Sequence, residues 1–159
     1  MDVRLLTVPY KEGKNAVALG LESFWNTASN DLLGDGRWSL GPQIFLARFN
    51  LLDIPGTMFA PGYQYVFDVG GEDGRDEIQK SQIDLYLLWI FNEKKNWILL
   101  DPQIVIDHEN DDSDFTVFDA EFGQMMFGGF SSCIRPGVGI GEDRPLDWTL
   151  ELGFKVIWR

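Results

Sequence analysis

One cysteine and one histidine are all that the 159-residue chain holds of the side chains most used in redox, metal and nucleophilic chemistry. The lone thiol, Cys133, excludes an internal disulfide and any cysteine-rich metal site. Basic residues are scarce as well: 13 Lys and Arg stand against 25 Asp and Glu, a formal net charge of −12. So acidic a chain lacks the positive footprint that grips nucleic acid or an anionic membrane surface, and no nucleic-acid partner is expected. There is no apolar run of about 18 residues, hence no transmembrane helix. Met1 is followed directly by Asp2 and Arg4 without an apolar stretch, so no secretory signal peptide is read. No low-complexity segment or internal boundary interrupts the chain, and residues 1–159 read as one domain or part of one.

What the sequence has in abundance is alternation. From Gln82 to Phe91, Gln82, Asp84, Tyr86, Leu88 and Ile90 share one phase, while Ile83, Leu85, Leu87, Trp89 and Phe91 share the other. Near the end, Leu146, Trp148, Leu150, Leu152, Phe154, Val156 and Trp158 fall on one side and Asp147, Thr149, Glu151, Gly153, Lys155 and Arg159 on the opposite side. Only a strand separates residues by a period of two. The same test finds about eight strands, near 15–25, 37–48, 57–69, 81–91, 97–107, 115–127, 131–141 and 146–158, and a weaker one near 3–9. Their lengths exceed the ~5–6 residues usual for globular strands and suit the ~9–11 that cross a bilayer at a tilt. Longer polar connections (26–36, 70–80, 108–114) alternate with mostly shorter ones (11–14, 92–96, 128–130), as in outer-membrane barrels.

Alternation does not say which face meets water. Two features point to polar inside and apolar outside. Gly20, Gly41, Gly62, Gly123, Gly137, Gly139 and Gly153 lie on the polar phase at mid-strand, where lysines are nearly absent. A solvated sheet face favours Thr, Lys and Glu, whereas glycine marks crowding or close approach, as in a filled or narrow lumen. Trp25, Trp38, Trp89, Trp97, Trp148 and Trp158 belong to the apolar phase or extend it near strand ends, where interfacial girdles sit. Against a simple barrel, Pro42, Pro61, Pro102 and Pro136 sit within strands on the apolar phase, and each removes a ladder donor unless a bulge absorbs the gap.

The stretch Asn30-Asp31-Leu32-Leu33-Gly34-Asp35-Gly36-Arg37-Trp38-Ser39-Leu40-Gly41-Pro42 resembles the D-x-L-G-x-G-K-W-x-x-G-P signature of an outer-membrane transporter family named for the MetA pathway of phenol degradation. The loop 71–77 with its Asp and Arg, the strand led by Gln82, Asp101-Pro102, the Gly137-Val138-Gly139 segment and the closing Asp147-Trp148 strand follow in that family's order. The resemblance implies an outer-membrane β-barrel that passes small, hydrophobic or aromatic compounds. Members carry a signal peptide and several upstream strands, so this chain reads as a barrel lacking its N-terminal strands. The fold class expected is therefore all-β: an antiparallel up-and-down transmembrane β-barrel, with about eight or nine strands of a larger one present.

The candidate lumen-lining residues are Glu22, Gln43, Gln64, Asp84, Asp101, Gln103, Asp119, Glu121, Arg135, Glu151 and Lys155. Acids outnumber bases among them, so a water-filled lumen favours cations or neutral solutes over anions. The competing reading is that they satisfy one another, with Arg135 and Lys155 paired to Glu121, Asp119 and Glu151, and plug the barrel. The loop acids Glu72, Asp73, Asp76 and Glu77, and Glu109, Asp111, Asp112 and Asp114, lack calcium-loop spacing and read as solvated; no metal and no cofactor are expected. His108 with Ser113 offers no fixed catalytic geometry, Cys133 has no adjacent base, and the segment 137–141 opens no helix, so no enzyme is expected. The expected partners are outer-membrane lipid, lipopolysaccharide and a small solute, in a Gram-negative outer membrane. Two other readings stay open: a soluble ligand-binding β-barrel with an aromatic-lined pocket, and a structural outer-membrane barrel with a plugged lumen.

Overall fold

A computed structural model describes residues 2–25, 36–71, 77–109, 113–127, 129–142, 144 and 146–156. Within them lie nine strands: β1 (Asp2–Glu12), β2 (Asn15–Phe24), β3 (Arg37–Phe49), β4 (Thr57–Gly71), β5 (Gln79–Phe91), β6 (Asn96–Asp107), β7 (Ser113–Met125), β8 (Phe130–Ile140) and β9 (Trp148–Val156). The only helical element among the described residues is a 3-10 turn at Leu51–Asp53, so no helix there is long and apolar enough to cross a membrane. All nine strands form one antiparallel sheet in sequence order, an up-and-down meander whose hydrogen bonding runs from β1 to β9 and stops. The all-β, up-and-down expectation holds; the sheet is not closed. The weak strand expected at 3–9 is a full partner of β2, with a register shift between Thr7 and Tyr10 around Pro9.

Two neighbouring rows, traced through the strand pairings, state the plan of the sheet. On one face Leu19, Ile44, Tyr63, Ile83 and Ile104 stand side by side on β2 to β6. On the other, Gly20, Gln43, Gln64 and Gln82 do the same on β2 to β5. Burial is inverted relative to a soluble protein. On β3, Ser39, Gly41, Gln43 and Phe45 are buried while Trp38, Pro42, Ile44 and Leu46 are exposed. The largest fully buried side chains are Gln64, Asp84, Asp101 and Ser131, whereas Trp148 and Leu152 are 71% and 73% exposed. The accessible surface of 10760 Å² exceeds the roughly 8,100 Å² expected of a soluble monomer of this mass. A single layer with its apolar face uncovered contributes to that excess.

The sheet curls around its polar face. Five adjacent strands laid flat would put β1 and β5 about 19 Å apart, yet Arg4 Nη1 on β1 lies 3.4 Å from Tyr86 Oη on β5. Phe45 of β3 stacks on Tyr86 at 5.3 Å, reaching across β4 where only Ala60 and Gly62 stand beneath. The mid-strand glycines admit such crossings. A Cβ on Gly62 would overlap the Phe45 ring, one on Gly123 the Trp97 ring, and one on Gly41 the Gln64 amide.

The in-strand prolines need no bulge. In an antiparallel pair a residue's N–H points to one neighbouring strand only. Pro42 and Pro61 fall in two gaps of the β3–β4 ladder, Pro102 in a gap of β5–β6 and Pro136 in a gap of β7–β8. Each ladder resumes in the same register beyond the gap. On the opposite side each proline is paired without interruption, with Leu21, Leu85, Phe118 and Leu150 respectively.

The strand ends that lead into the β2–β3, β4–β5, β6–β7 and β8–β9 connections lie at one end of the sheet, and those of the other four at the opposite end. The latter include the Gly13–Lys14 turn, where Gly13 takes φ 56° at the first central position. The loop segments 26–35, 72–76 and 110–112, the first six residues of the family-like motif and the acids Glu72, Asp73, Asp76, Asp111 and Asp112 lie outside the described residues.

Candidate functional site: a polar belt on the concave face

Two clusters and a residue between them form the belt. At the β1 side, Arg4 donates to Glu22 Oε2 at 2.7 Å, and the same oxygen accepts from Gln64 Nε2 at 2.9 Å. Glu22 and Gln64 are almost wholly buried, so the pair with Arg4 is held in place by packing as well as charge. Gln43, beside Gln64 across the β3–β4 ladder, is also buried, and its amide nitrogen has no hydrogen-bond partner. At the β8 side, Arg135 bridges two aspartates, with Nη2 2.9 Å from Asp101 Oδ2 and 2.8 Å from Asp119 Oδ2. Asp101 and Asp119 face each other directly in the β6–β7 register, a like-charge pairing that is repulsive unless a cation sits between them. Arg135 supplies that cation. Gln103 Nε2 adds a hydrogen bond to Asp101 Oδ2 at 2.7 Å, while Asp101 Oδ1 is buried without a partner. Between the clusters, Asp84 is buried and accepts from Gln82 Nε2 at 2.8 Å.

The sequence-derived lumen residues are placed as follows. Glu22, Gln43, Gln64, Asp84, Asp101, Asp119 and Glu121 are buried on the concave face, and Gln103 and Arg135 are half-buried there. Glu151 opposes Arg135 on β9 and is exposed at the sheet edge. Lys155 lies opposite Ser131 by register, and its side chain is outside the described residues. Of the expected partners of Arg135, Asp119 is paired with it and Glu121 is not. Glu121 faces Leu99 on β6 and accepts from the Trp97 indole at 2.7 Å, whereas Asp119 faces Asp101, and Arg135 bridges those two.

The indole bond corrects a second expectation. The sequence pattern assigns Trp97 to the apolar girdle, but its register partners Ile90 and Gly123 put it on the concave face with Asp101 and Glu121. Trp25, Trp38, Trp89 and Trp148 are exposed on the convex side, Trp25 stacking on Trp38 at 5.8 Å and Trp89 against Phe91 at 4.9 Å. Trp158 is outside the described residues.

Arg4 and Tyr86 are belt members that sequence reasoning did not single out. The adjacent Leu5-Leu6 breaks the alternation that would have assigned Arg4 a face. Beyond the belt, Arg37 pairs with Asp68 at 3.2 Å and Lys80 with Asp107 at 3.4 Å towards the loop end. At the turn end Lys14 pairs with Asp53, tying the β1–β2 turn to the β3–β4 connection and holding the Asp53 carboxyl below its usual range through that hydrogen bond and the lysine charge. His108 Nε2 lies 2.9 Å from Ser81 Oγ, which joins the end of β6 to β5. No three metal-ligating side chains come together among the described residues.

Chemically the belt is an arc of acceptors and donors in which carboxylates outnumber guanidiniums, so its field favours cations over anions. Comparison with protein families, with curated proteins and with solved structures found no match to this chain.

Proposed function

We propose that the chain forms the wall of a transmembrane β-barrel of the Gram-negative outer membrane, through whose polar interior small solutes pass. One observation carries this reading: Gln64, Asp84 and Asp101 are buried on the concave face while Ile44, Trp148 and Leu152 stand exposed on the convex one. In water that arrangement forfeits the hydrophobic effect, whereas in a bilayer lipid covers the convex face and the polar groups satisfy one another inside. Strands of 9 to 15 residues and exposed tryptophans near strand ends support it. The polarity runs against a soluble ligand-binding barrel, whose apolar face turns inward. Because β1 and β9 run in the same direction, closure takes either a parallel seam between them or an odd number of further strands. The resemblance to the MetA-pathway family favours further strands and a small hydrophobic or aromatic solute.

A second reading, the plugged structural barrel, is favoured by Gln64, Asp84, Asp101 and Ser131 being no more than 2% exposed even in an unclosed sheet. Liposome swelling with the complete protein separates the two. Influx of neutral and cationic solutes of sugar size supports passage. Vesicles impermeable to both, with the protein folded and outer-membrane located, would leave the plugged barrel.

A further inference from the structure

The strand cations differ in the side of the sheet they occupy. Arg4, Arg37, Lys80 and Arg135 lie on the concave face, each within ion-pair distance of a carboxylate. Arg48 lies on the other side. The register sets it between Asn15 on β2 and Phe59 on β4, in a row that continues to Leu87 on β5. It is exposed, donates from Nη1 to Asn15 Oδ1 at 3.3 Å, and has no carboxylate within ion-pair distance among the described residues. The next convex row towards the sheet centre runs through Tyr10, Val17 and Leu46. Val17, Leu46, Phe59 and Pro61 wall a groove of about 300 Å³, with Asn15 and Arg48 at its turn end.

We propose that this groove binds a glycerophospholipid of the leaflet on the turn side, its phosphate on Arg48 and part of an acyl chain along Val17, Leu46 and Pro61. The inference rests on the barrel reading, which makes the convex face the lipid-facing one. Depth fits the assignment. Arg48 lies four residues beyond Ile44, which is about 13 Å along the strand and, at a tilt of ~40°, about 10 Å along the membrane normal. The apolar band of such a barrel is about 25 Å tall, so a guanidinium at that height reaches the phosphate level at the edge of the band.

Charge fits it as well. A guanidinium offers parallel N–H donors that match two oxygens of a phosphate, and it holds them better than a point charge does. The acids of the adjoining turns are already engaged, Glu12 by the Tyr10 hydroxyl and Asp53 by Lys14, which leaves Arg48 to an external anion. Below the head, the apolar walls of the groove take a lipid tail and offer it nothing to hydrogen-bond.

The test is native mass spectrometry of the complete protein, released from detergent micelles that hold equal amounts of phosphatidylglycerol and of diacylglycerol with the same acyl chains. Retention of phosphatidylglycerol about tenfold above diacylglycerol is expected for one charge-assisted contact. Arg48→Gln should erase that preference, whereas Lys95→Gln, a turn cation away from the groove, should leave it unchanged. Val17→Trp, which fills the groove, should lower retention of both lipids, and Val17→Phe is the milder filling if Val17→Trp does not fold. Equal retention of the two lipids, equal effects of Arg48→Gln and Lys95→Gln, or displacement of phosphatidylglycerol by inorganic phosphate alone would overturn the site. A preference sensitive to Arg48→Gln in a protein recovered without membrane would uphold the groove and overturn the membrane setting instead.

Discussion

Ile44→Lys separates a lipid-facing sheet from a water-facing one. Ile44 lies near the middle of β3, between Leu19 and Tyr63, and is 42% exposed on the convex face. If that face met water, a lysine there would be an ordinary surface substitution, worth within about 0.5 kcal/mol of stability. If it meets the hydrocarbon midplane, the cost is roughly 2–4 kcal/mol and falls to about 0–1 kcal/mol near the interface. Five residues separate Ile44 from Phe49, the last of β3. At ~3.3 Å each that is about 16 Å along the strand, too far for a lysine stem to reach the interface by snorkelling. Ile140, the last residue of β8 and 58% exposed, is the depth control. Equilibrium unfolding in phospholipid vesicles, followed by tryptophan fluorescence, should give a loss of 2–4 kcal/mol for Ile44→Lys and about 1 kcal/mol or less for Ile140→Lys. Equal small effects at the two positions would refute the assignment of the convex face to lipid.

Other outcomes follow from the concave face and the turns. Gly62→Val forces the Phe45 ring off its crossing over β4, an overpacking cost of about 1–3 kcal/mol measurable by the same unfolding assay. Arg135→Met leaves Asp101 and Asp119 facing each other without their cation. A loss on the order of 3 kcal/mol is expected, and it should be largely restored by adding Asp101→Asn and Asp119→Asn. Because the Asp53 carboxyl is held below its usual range by Lys14, the stabilisation from that pair is present above the ordinary aspartate pKa and lost as pH falls through the lowered one. Carbon-detected NMR should find the Asp53 titration moved up to the ordinary range in Lys14→Ala, and an unchanged midpoint would contradict the pair.

Much of this was legible in the sequence. Period-two alternation located β2 to β9 to within a few residues, and mid-strand glycine on the polar phase announced that the polar side would be crowded, as the Phe45, Trp97 and Gln64 crossings show. Register was not legible. Phase along one strand says nothing of which residue opposes it on the next, so the partners of Arg135 depended on Asp101 meeting Asp119 across β6 and β7. The face of Trp97 turned on a single step, since it precedes the cleanly alternating run that starts at Ile98 and its size and position both suit a girdle. The prolines looked disruptive because a sequence does not say which neighbour a missing N–H would have faced. In the sheet each faces only one, and the other ladder is intact.

The central claim, that the convex face contacts lipid and the concave face does not, is tested most directly by single-tryptophan variants reconstituted in vesicles of brominated phospholipid. Trp89 and Trp148, exposed on the convex side, should be strongly quenched, and Trp97, held against Glu121 on the concave side, should be protected. Equal quenching at all three positions, or none at Trp89 and Trp148, would contradict it.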